Sequence, residues 1–358
     1  MPRRWDMSKI RLIRIGWTDL NSSYLEWLLT PHFHLEVFDQ TTTYNKQDCV
    51  FVITRPEYWV DDLLMPYLED GFKLIIANLW ESRPFFLSSK FTNYLDNILL
   101  IVGCKEPLNS GWKYVLSIER WFWYNESLWY TCDSRFQYQN YIPQRINSKL
   151  FFMPIRRSKK FRDRIVEKLS DYLDNSIYSY VEQWCDGIHL TTREENPVAK
   201  IGWDRQFEES WYNNTFFTIA VETAVDIQFN IDNELVGIFN DATAPAKLFV
   251  TEKTFKPIAH QHPFLVCGMK GTLQFLKDNG FETYDHLFDE SYDTLDFFED
   301  RLEIIYNNVK TFDINKYNDP VTEEKIKHNY NRFYDRTAVI AGVTTDLINP
   351  LLEFINAT

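Results

Sequence analysis

The residues that most strongly suggest chemistry are Thr251, Glu252 and Lys253, which follow the short apolar segment 248–250. Thr251 is a favourable helix N-cap, so Glu252 and Lys253 are predicted in the first turn of a helix. A helix N-terminus offers N–H groups and partial positive charge to a phosphate, and Lys253 adds a cation. Glu252 can accept two hydroxyl hydrogen bonds from a ribose or sugar diol. This pairing is what a nucleotide-sugar site needs; an ordinary capped helix is the alternative.

A second candidate for anion binding is the basic segment 147–164, which has seven basic residues and one acid. It contrasts with the whole chain, whose net charge is −13. Basic residues at the start of a helix oppose its dipole, so an anionic ligand is a natural compensation. Arg157, Arg162 and Arg164 are therefore candidate phosphate ligands, and a solvated run of charge is the alternative.

These residues must be positioned by regular elements, and apolar runs alternate with helical patterns along the chain. In the first half, strands are predicted at 9–16, 34–38, 49–54, 72–77 and 97–102, with helical patterns at 25–29 and 59–68. In the second half, strands are predicted at 149–154, 216–222 and 263–267, with helices at 161–169, 272–279, 295–305 and 345–355. Such alternation indicates an α/β fold with mostly parallel sheets.

Ligands of parallel sheets gather beyond the carboxyl ends of the strands. In the first half the polar residues at those ends are Asp19, Arg55, Glu57, Asn78 and Glu81. Glu81 is the leading candidate for a general base, because the apolar wall of Trp80 would raise the pKa of its carboxyl group. Asp19 is the second candidate, and a surface carboxylate in a loop is the alternative for each. The aromatic block 121–141 is interpreted as packing between domains rather than as a sugar platform.

Size and composition are typical of a folded protein with two domains of roughly 150–200 residues. The chain has 358 residues, 45% hydrophobic and 17% aromatic. Its acidity disfavours nonspecific nucleic-acid binding. Five scattered cysteines without a CxxC motif predict reduced thiols in a cytoplasmic protein. Residues 1–6 lack the apolar region of a signal peptide. The sequence has no run of 18 apolar residues, so no membrane span is predicted.

The order of four blocks resembles the donor half of the α1,3-fucosyltransferases. These blocks are the arginine-bearing turn before 169, the strand ending in Val221-Glu222, then Phe249-Val-Thr-Glu-Lys253, then Pro263-Phe-Leu-Val-Cys-Gly268. The form Thr-Glu-Lys-Thr-x-Lys-Pro-Ile, followed by Asp-Glu-Ser-Tyr-Asp293, is also similar to uncharacterised glycosyltransferase-like proteins of tailed phages. The resemblance covers residues 147–300. The chain departs from it in having Glu222-Thr223 in place of Glu-Asn and Pro257 within the motif helix, where a kink is expected.

The resemblance implies a GT-B fold, in which two Rossmann-like domains face a cleft. The predicted domains are 1–146 for the acceptor, 147–340 for the nucleotide sugar, and a C-terminal helix 341–358 that packs back on the first domain. Glu252 would hold ribose or sugar hydroxyls, and Lys253 and Arg162 the diphosphate. Glu222 would line the donor pocket, while Thr251 and Lys256 complete the candidate donor-binding set.

The implied activity is inverting, metal-independent transfer of a sugar from a nucleotide-diphosphate sugar to an acceptor hydroxyl, with no other cofactor. The acceptor is a glycan or, alternatively, a hydroxymethylated base of phage DNA. A catalytically silent GT-B binding module is a further alternative. His32/His34 and His260/His262 lack a nearby acid or cysteine at metal-ligand spacing, so no metal site is predicted. There is also no GxGxxG, Walker or Gly-x-Ser-x-Gly motif.

Overall fold

The fold is taken from a computed structural model, which describes residues 10–15, 28–46, 49–53, 61–79, 89–104, 112–132, 142–155, 160–180, 209–222 and 248–357. The strands are β1 Arg11–Ile15, β2 His34–Val37, β3 Cys49–Ile53, β4 Lys73–Asn78, β5 Ile98–Val102, β6 Tyr114–Ser117, β7 Lys149–Ile155, β8 Ile177–Tyr180, β9 Thr215–Val221 and β10 Phe264–Cys267.

The α-helices are α1 Asp61–Glu69, α2 Trp121–Cys132, α3 Lys160–Lys168, α4 Ser170–Leu173, α5 Glu209–Asn213, α6 Glu252–Ala259, α7 Thr272–Asp278, α8 Phe298–Lys310, α9 Ile314–Tyr317, α10 Pro320–Phe333, α11 Arg336–Val343 and α12 Asn349–Asn356. Shorter 3₁₀ turns cover Ser89–Asn97 and Ser291–Thr294, and a π-helical turn at Thr344–Ile348 joins α11 to α12.

The described strands form two parallel sheets, which confirms the predicted α/β class. One sheet has the strand order β2-β1-β3-β4-β5-β6 and the other β10-β9-β7-β8. Every strand pairing recorded among the described residues is parallel. Strands buried on both faces are typical of such sheets, and all five residues of β5 are buried. The predicted strands at 9–16, 34–38, 49–54, 72–77 and 97–102 are all present within a few residues.

The chain divides into two compact units. Unit 1 comprises Met1–Asn125, Thr243–Lys247 and Thr337–Thr358, and unit 2 comprises Glu126–Ala242 and Leu248–Arg336. The sequence places the boundary at 146/147, whereas this division falls within α2. The C-terminal segment belongs to unit 1, which is therefore built from pieces distant in sequence. Residues 121–130 of the aromatic block are all buried in α2.

Unit 1 holds its C-terminal segment through a partly buried polar cluster. The Arg120 guanidinium donates to both carboxylate oxygens of Asp346, at 2.8 and 2.6 Å, and the Tyr124 hydroxyl donates to the same carboxylate at 2.8 Å. The stretch Arg336–Asn356 is long and apolar enough to cross a membrane. Its residues Val339 and Leu347 are buried in the protein, and 33% of its most apolar 18-residue window is buried.

Unit 2 has a core built largely from the inward side chains of its four-stranded sheet. Burial covers every residue of β10 and six of the seven residues of β9. The helices α6, α7 and α8 contribute further apolar faces. The predicted apolar face of the helix after residue 295 is confirmed, since Phe298, Leu302 and Ile305 are buried. This sheet positions the carboxyl ends of β7, β9 and β10, near which the candidate ligands lie.

Candidate functional site

The motif helix α6 begins where the sequence predicts. Thr251 is its N-cap, with an extended backbone, and its hydroxyl accepts from the Lys253 N–H at 3.4 Å. The helix continues through the buried Pro257 and ends at Ala259, so it has eight residues, or about two turns. The predicted capped helix followed by the strand at 263–267 is therefore confirmed.

Glu222 lies directly after β9 and turns its side chain towards the N-terminus of α6. It is fully buried, at 0% exposure. Its carboxylate accepts from the Thr251 N–H at 3.0 Å, from the Thr251 hydroxyl at 2.5 Å and from the Thr254 hydroxyl at 2.6 Å. These three hydrogen bonds stabilise the carboxylate where it is buried away from water. Glu222 thus joins the end of β9 to the first turn of α6.

Two neighbouring residues complete this junction. Gly268, after β10, lies so close to Glu222 that an added Cβ would be 3.1 Å from the Glu222 Cγ. Arg162, in the first turn of α3, is 4% exposed, and its Nη2 donates to the Glu222 carbonyl oxygen at 3.1 Å. The first turns of α3 and α6 therefore meet the residues that follow β9 and β10. They meet at the carboxyl edge of one sheet, where ligands of parallel sheets bind.

Glu252 and Lys253 lie beside this junction and form an ion pair. The Lys253 Nζ donates to Glu252 Oε1 at 2.6 Å, and the side chains of Lys253 and Glu252 are 23% and 18% exposed. Burial acts to raise the pKa of Glu252, but the charges of Lys253 and Lys256 and the hydrogen bond from Lys253 together lower it to about 2. Glu252 is thus an ionised carboxylate, able to accept hydroxyl hydrogen bonds, with a cation beside it.

Three N–H groups at the start of α6 already have acceptors within the protein. The N–H of Thr251 donates to Glu222, that of Lys253 to the Thr251 hydroxyl, and that of Thr254 to the Thr251 carbonyl. The structure therefore favours side-chain cations, rather than backbone amides, as the groups that would hold a phosphate here.

The remaining described candidates occupy other places. Arg164 is 44% exposed and pairs with Glu167 and with Glu299 on α8. Lys168, beyond the basic segment, pairs with Glu303, and a phosphate-binding role for Arg164 stays a prediction. Lys256 lies on α6, where its charge helps to lower the pKa of Glu252. Asp19, Glu81 and Arg157 lie outside the described residues, and their roles stay predictions.

The structure also brings to this edge two residues that the sequence does not single out. Thr254 is fully buried and holds Glu222, and its spacing of three from the N-cap is the only signal for it. Arg301, the one base between residues 278 and 303, is 2% exposed. Burial raises the pKa of the Cys267 thiol to about 12, and the charges of Arg301 and Arg162 oppose this. The Arg301 Nη1 donates to the carbonyl oxygens of Leu295 and Asp296, at 2.8 and 3.1 Å.

The paired histidines have structural partners. The His262 Nε2–H donates to the Thr215 carbonyl, and its Nδ1 accepts from the Thr218 hydroxyl, both at 2.8 Å. The His260 Nδ1–H donates to the Lys256 carbonyl at 2.6 Å, and its ring stacks on Tyr212. Burial is the main cause that lowers the pKa of each ring to about 3. Within the described part of the chain, no cluster of three potential metal ligands occurs.

Comparison with known proteins gives matches among solved structures alone. No protein-family profile and no curated protein matches the chain. An α1,3-fucosyltransferase crystallised with GDP is 9% identical with a TM-score of 0.46, over 98% of this chain and 93% of the other. A second α1,3-fucosyltransferase structure is 11% identical with a TM-score of 0.44, over 97% and 91% of the two chains. Similarity at this level carries no argument about substrate or catalysis.

Proposed function

We propose that the protein is a glycosyltransferase that moves a sugar from a nucleotide-diphosphate sugar to an acceptor hydroxyl. The observation that carries the proposal is the junction of Arg162, Glu222, Thr251, Glu252 and Lys253 at the carboxyl edge of the four-stranded sheet. These residues are also those on which the sequence resembles the donor half of the α1,3-fucosyltransferases. An ionised carboxylate and a cation in contact suit a ligand that bears a diol and a pyrophosphate.

The two charges have different roles in the proposed reaction. Glu252 accepts hydrogen bonds from two adjacent hydroxyls of the ribose or the sugar. Lys253 donates to the diphosphate, whose charge increases as the bond to the sugar breaks, so it lowers the barrier to departure. Arg162 is only 4% exposed, so it does not contact the diphosphate directly. Its positive charge stabilises the leaving diphosphate from a distance.

The remaining steps of the proposed mechanism are inferred from the resemblance to the α1,3-fucosyltransferases. An acceptor hydroxyl loses its proton to a carboxylate of the N-terminal half, for which Glu81 is the first candidate and Asp19 the second. The hydroxyl oxygen then attacks the anomeric carbon from the face opposite the leaving diphosphate, which inverts the configuration. The proposed reaction uses no metal, and the proposed arrangement of the two halves is GT-B. A glycan is the proposed acceptor.

The test uses a panel of nucleotide sugars with the full chain. We expect one donor to raise the melting temperature and to be hydrolysed slowly without an acceptor. Lys253→Met should remove hydrolysis and weaken donor binding by roughly ten- to a hundredfold, as for the loss of a hydrogen bond between charged groups. Lys168→Met is the matched control, because Lys168 also pairs with a carboxylate in unit 2 but on the exposed face of α3. Absence of any response to the whole panel would refute the proposal, and binding without turnover would indicate a binding module.

A further inference from the structure

Glu222 occupies a position in which it has no exposed surface. It is 0% exposed, and three donors from the start of α6 surround its carboxylate. A residue that binds the nucleotide sugar directly needs at least one side-chain oxygen that faces this ligand. The predicted role of Glu222, that of lining the donor pocket, therefore does not fit its surroundings.

The hydrogen bonds of Glu222 instead fix the orientation of the first turn of α6. Thr251 is held at its N–H and its hydroxyl, and Thr254 is held one turn later at its hydroxyl. Two anchors on one short helix restrain both its position and its rotation about its own axis. Glu252 and Lys253 lie between these anchors, so their side-chain directions depend on both.

We propose that Glu222 is a positioning residue, which presents Glu252 and Lys253 to the donor without touching it. The identity of the ligand in this inference rests on the proposed function. The claim that the carboxylate immobilises the first turn of α6 stands independently of any ligand. The two parts can therefore be tested separately.

The first experiment measures hydrogen exchange of the α6 amides in the absence of ligand. Thr254→Val removes one anchor, keeps the side-chain shape and leaves Glu222 in place. Exchange in the first turn of α6 should become at least tenfold faster, since a hydrogen bond to a carboxylate is lost. Thr254→Ser, which keeps the hydroxyl, should restore slow exchange.

Thr215→Val is the matched control for a general loss of stability. Thr215 is equally buried, donates its hydroxyl to the Trp211 carbonyl at 2.7 Å, and lies at the opposite end of β9 from Glu222. It should leave exchange in the first turn of α6 close to that of the wild type. Equal exchange at this turn in the Thr254→Val and Thr215→Val variants would overturn the proposal.

The second experiment measures the affinity for GDP, UDP, ADP and CDP, and for their hexose conjugates. Thr254→Val should weaken the preferred nucleotide about tenfold, Glu222→Gln should weaken it as well, and Thr254→Ser should restore it. If Glu222→Gln weakens binding while Thr254→Val does not, Glu222 contacts the donor and the proposal is wrong. If the wild type binds none of the probes, the proposed function fails, and the exchange experiment alone decides whether Glu222 fixes the helix.

Discussion

The buried histidines predict a loss of stability in mild acid. His260 and His262 are each 1% exposed, and burial lowers the pKa of both to about 3 from an ordinary value of 6.5. Below pH 6.5 the unfolded chain therefore binds protons that the folded chain does not. The free energy of unfolding falls as the pH decreases from 6.5 towards 3, and this contribution is absent above that window.

The magnitude follows from the difference between the two pKa values. At pH 5.5, one unit below the unfolded pKa, each histidine lowers the free energy of unfolding by about 1.4 kcal/mol. The two together give about 2.8 kcal/mol, a large part of the 5–15 kcal/mol stability that is typical of a domain. In the neutral ring of His262 the proton lies on Nε2 and is donated to the Thr215 carbonyl, while Nδ1 accepts from the Thr218 hydroxyl.

Urea unfolding at pH 7.5 and pH 5.5 measures this effect. His262→Gln should lower stability at pH 7.5, and its loss on acidification should be smaller than that of the wild type by about 1.4 kcal/mol. His34→Gln, at an exposed position of β2, is the control and should behave as the wild type. An acid-induced loss in His262→Gln as large as that of the wild type would refute the reasoning.

Three further substitutions test separate contacts. Gly342→Ala places a Cβ 2.2 Å from the Tyr124 hydroxyl oxygen and should destabilise unit 1 by about 1–3 kcal/mol, as overpacking does; unchanged thermal unfolding would contradict this. Asp293→Ala removes the carboxylate that accepts two N–H groups at the start of α7, at 2.9 and 3.0 Å, and should cost about 1–2 kcal/mol by urea unfolding; a smaller loss than for Asp293→Asn would contradict it. Glu252→Gln should weaken donor binding about tenfold, as measured by titration calorimetry. In the wild type, protonation of Glu252 should not change donor affinity down to pH 4, because the pKa of this carboxyl is about 2.

The sequence predicts the strands with continuous apolar runs but misses β6 and β8, which are two of the four edge strands of the described sheets. The run 98–102 becomes β5, which is buried throughout. By contrast, β6 and β8 lie at sheet edges, where Tyr114 and Tyr178 remain 39% and 38% exposed. An edge strand is covered on fewer sides, so its composition need not be apolar, and periodicity is a weak guide to it.

At the candidate site, local chemistry is predictable and distant partners are not. Thr251 as the N-cap, with Glu252 and Lys253 in the first turn, follows from the order of the residues. That Glu222 occupies the Thr251 N–H does not, because 29 positions separate the two residues and their contact depends on the packing of β9 against α6. Burial of Arg162 and exposure of Arg164 likewise follow from the face of α3 that packs inward, although both residues share one basic segment.

The internal bonds at the start of α6 change which ligand suits it. Glu252 and Lys253 satisfy each other at 2.6 Å, so a ligand must replace this contact as well as add new ones. A free sugar would hydrogen-bond Glu252 and leave the ammonium of Lys253 poorly paired, and inorganic phosphate would do the reverse. Because unpaired charge is costly where solvent is partly excluded, a ligand with a diol and an anion in one molecule avoids both penalties. A nucleotide-diphosphate sugar has both groups, which is the physical reason to prefer it over either fragment.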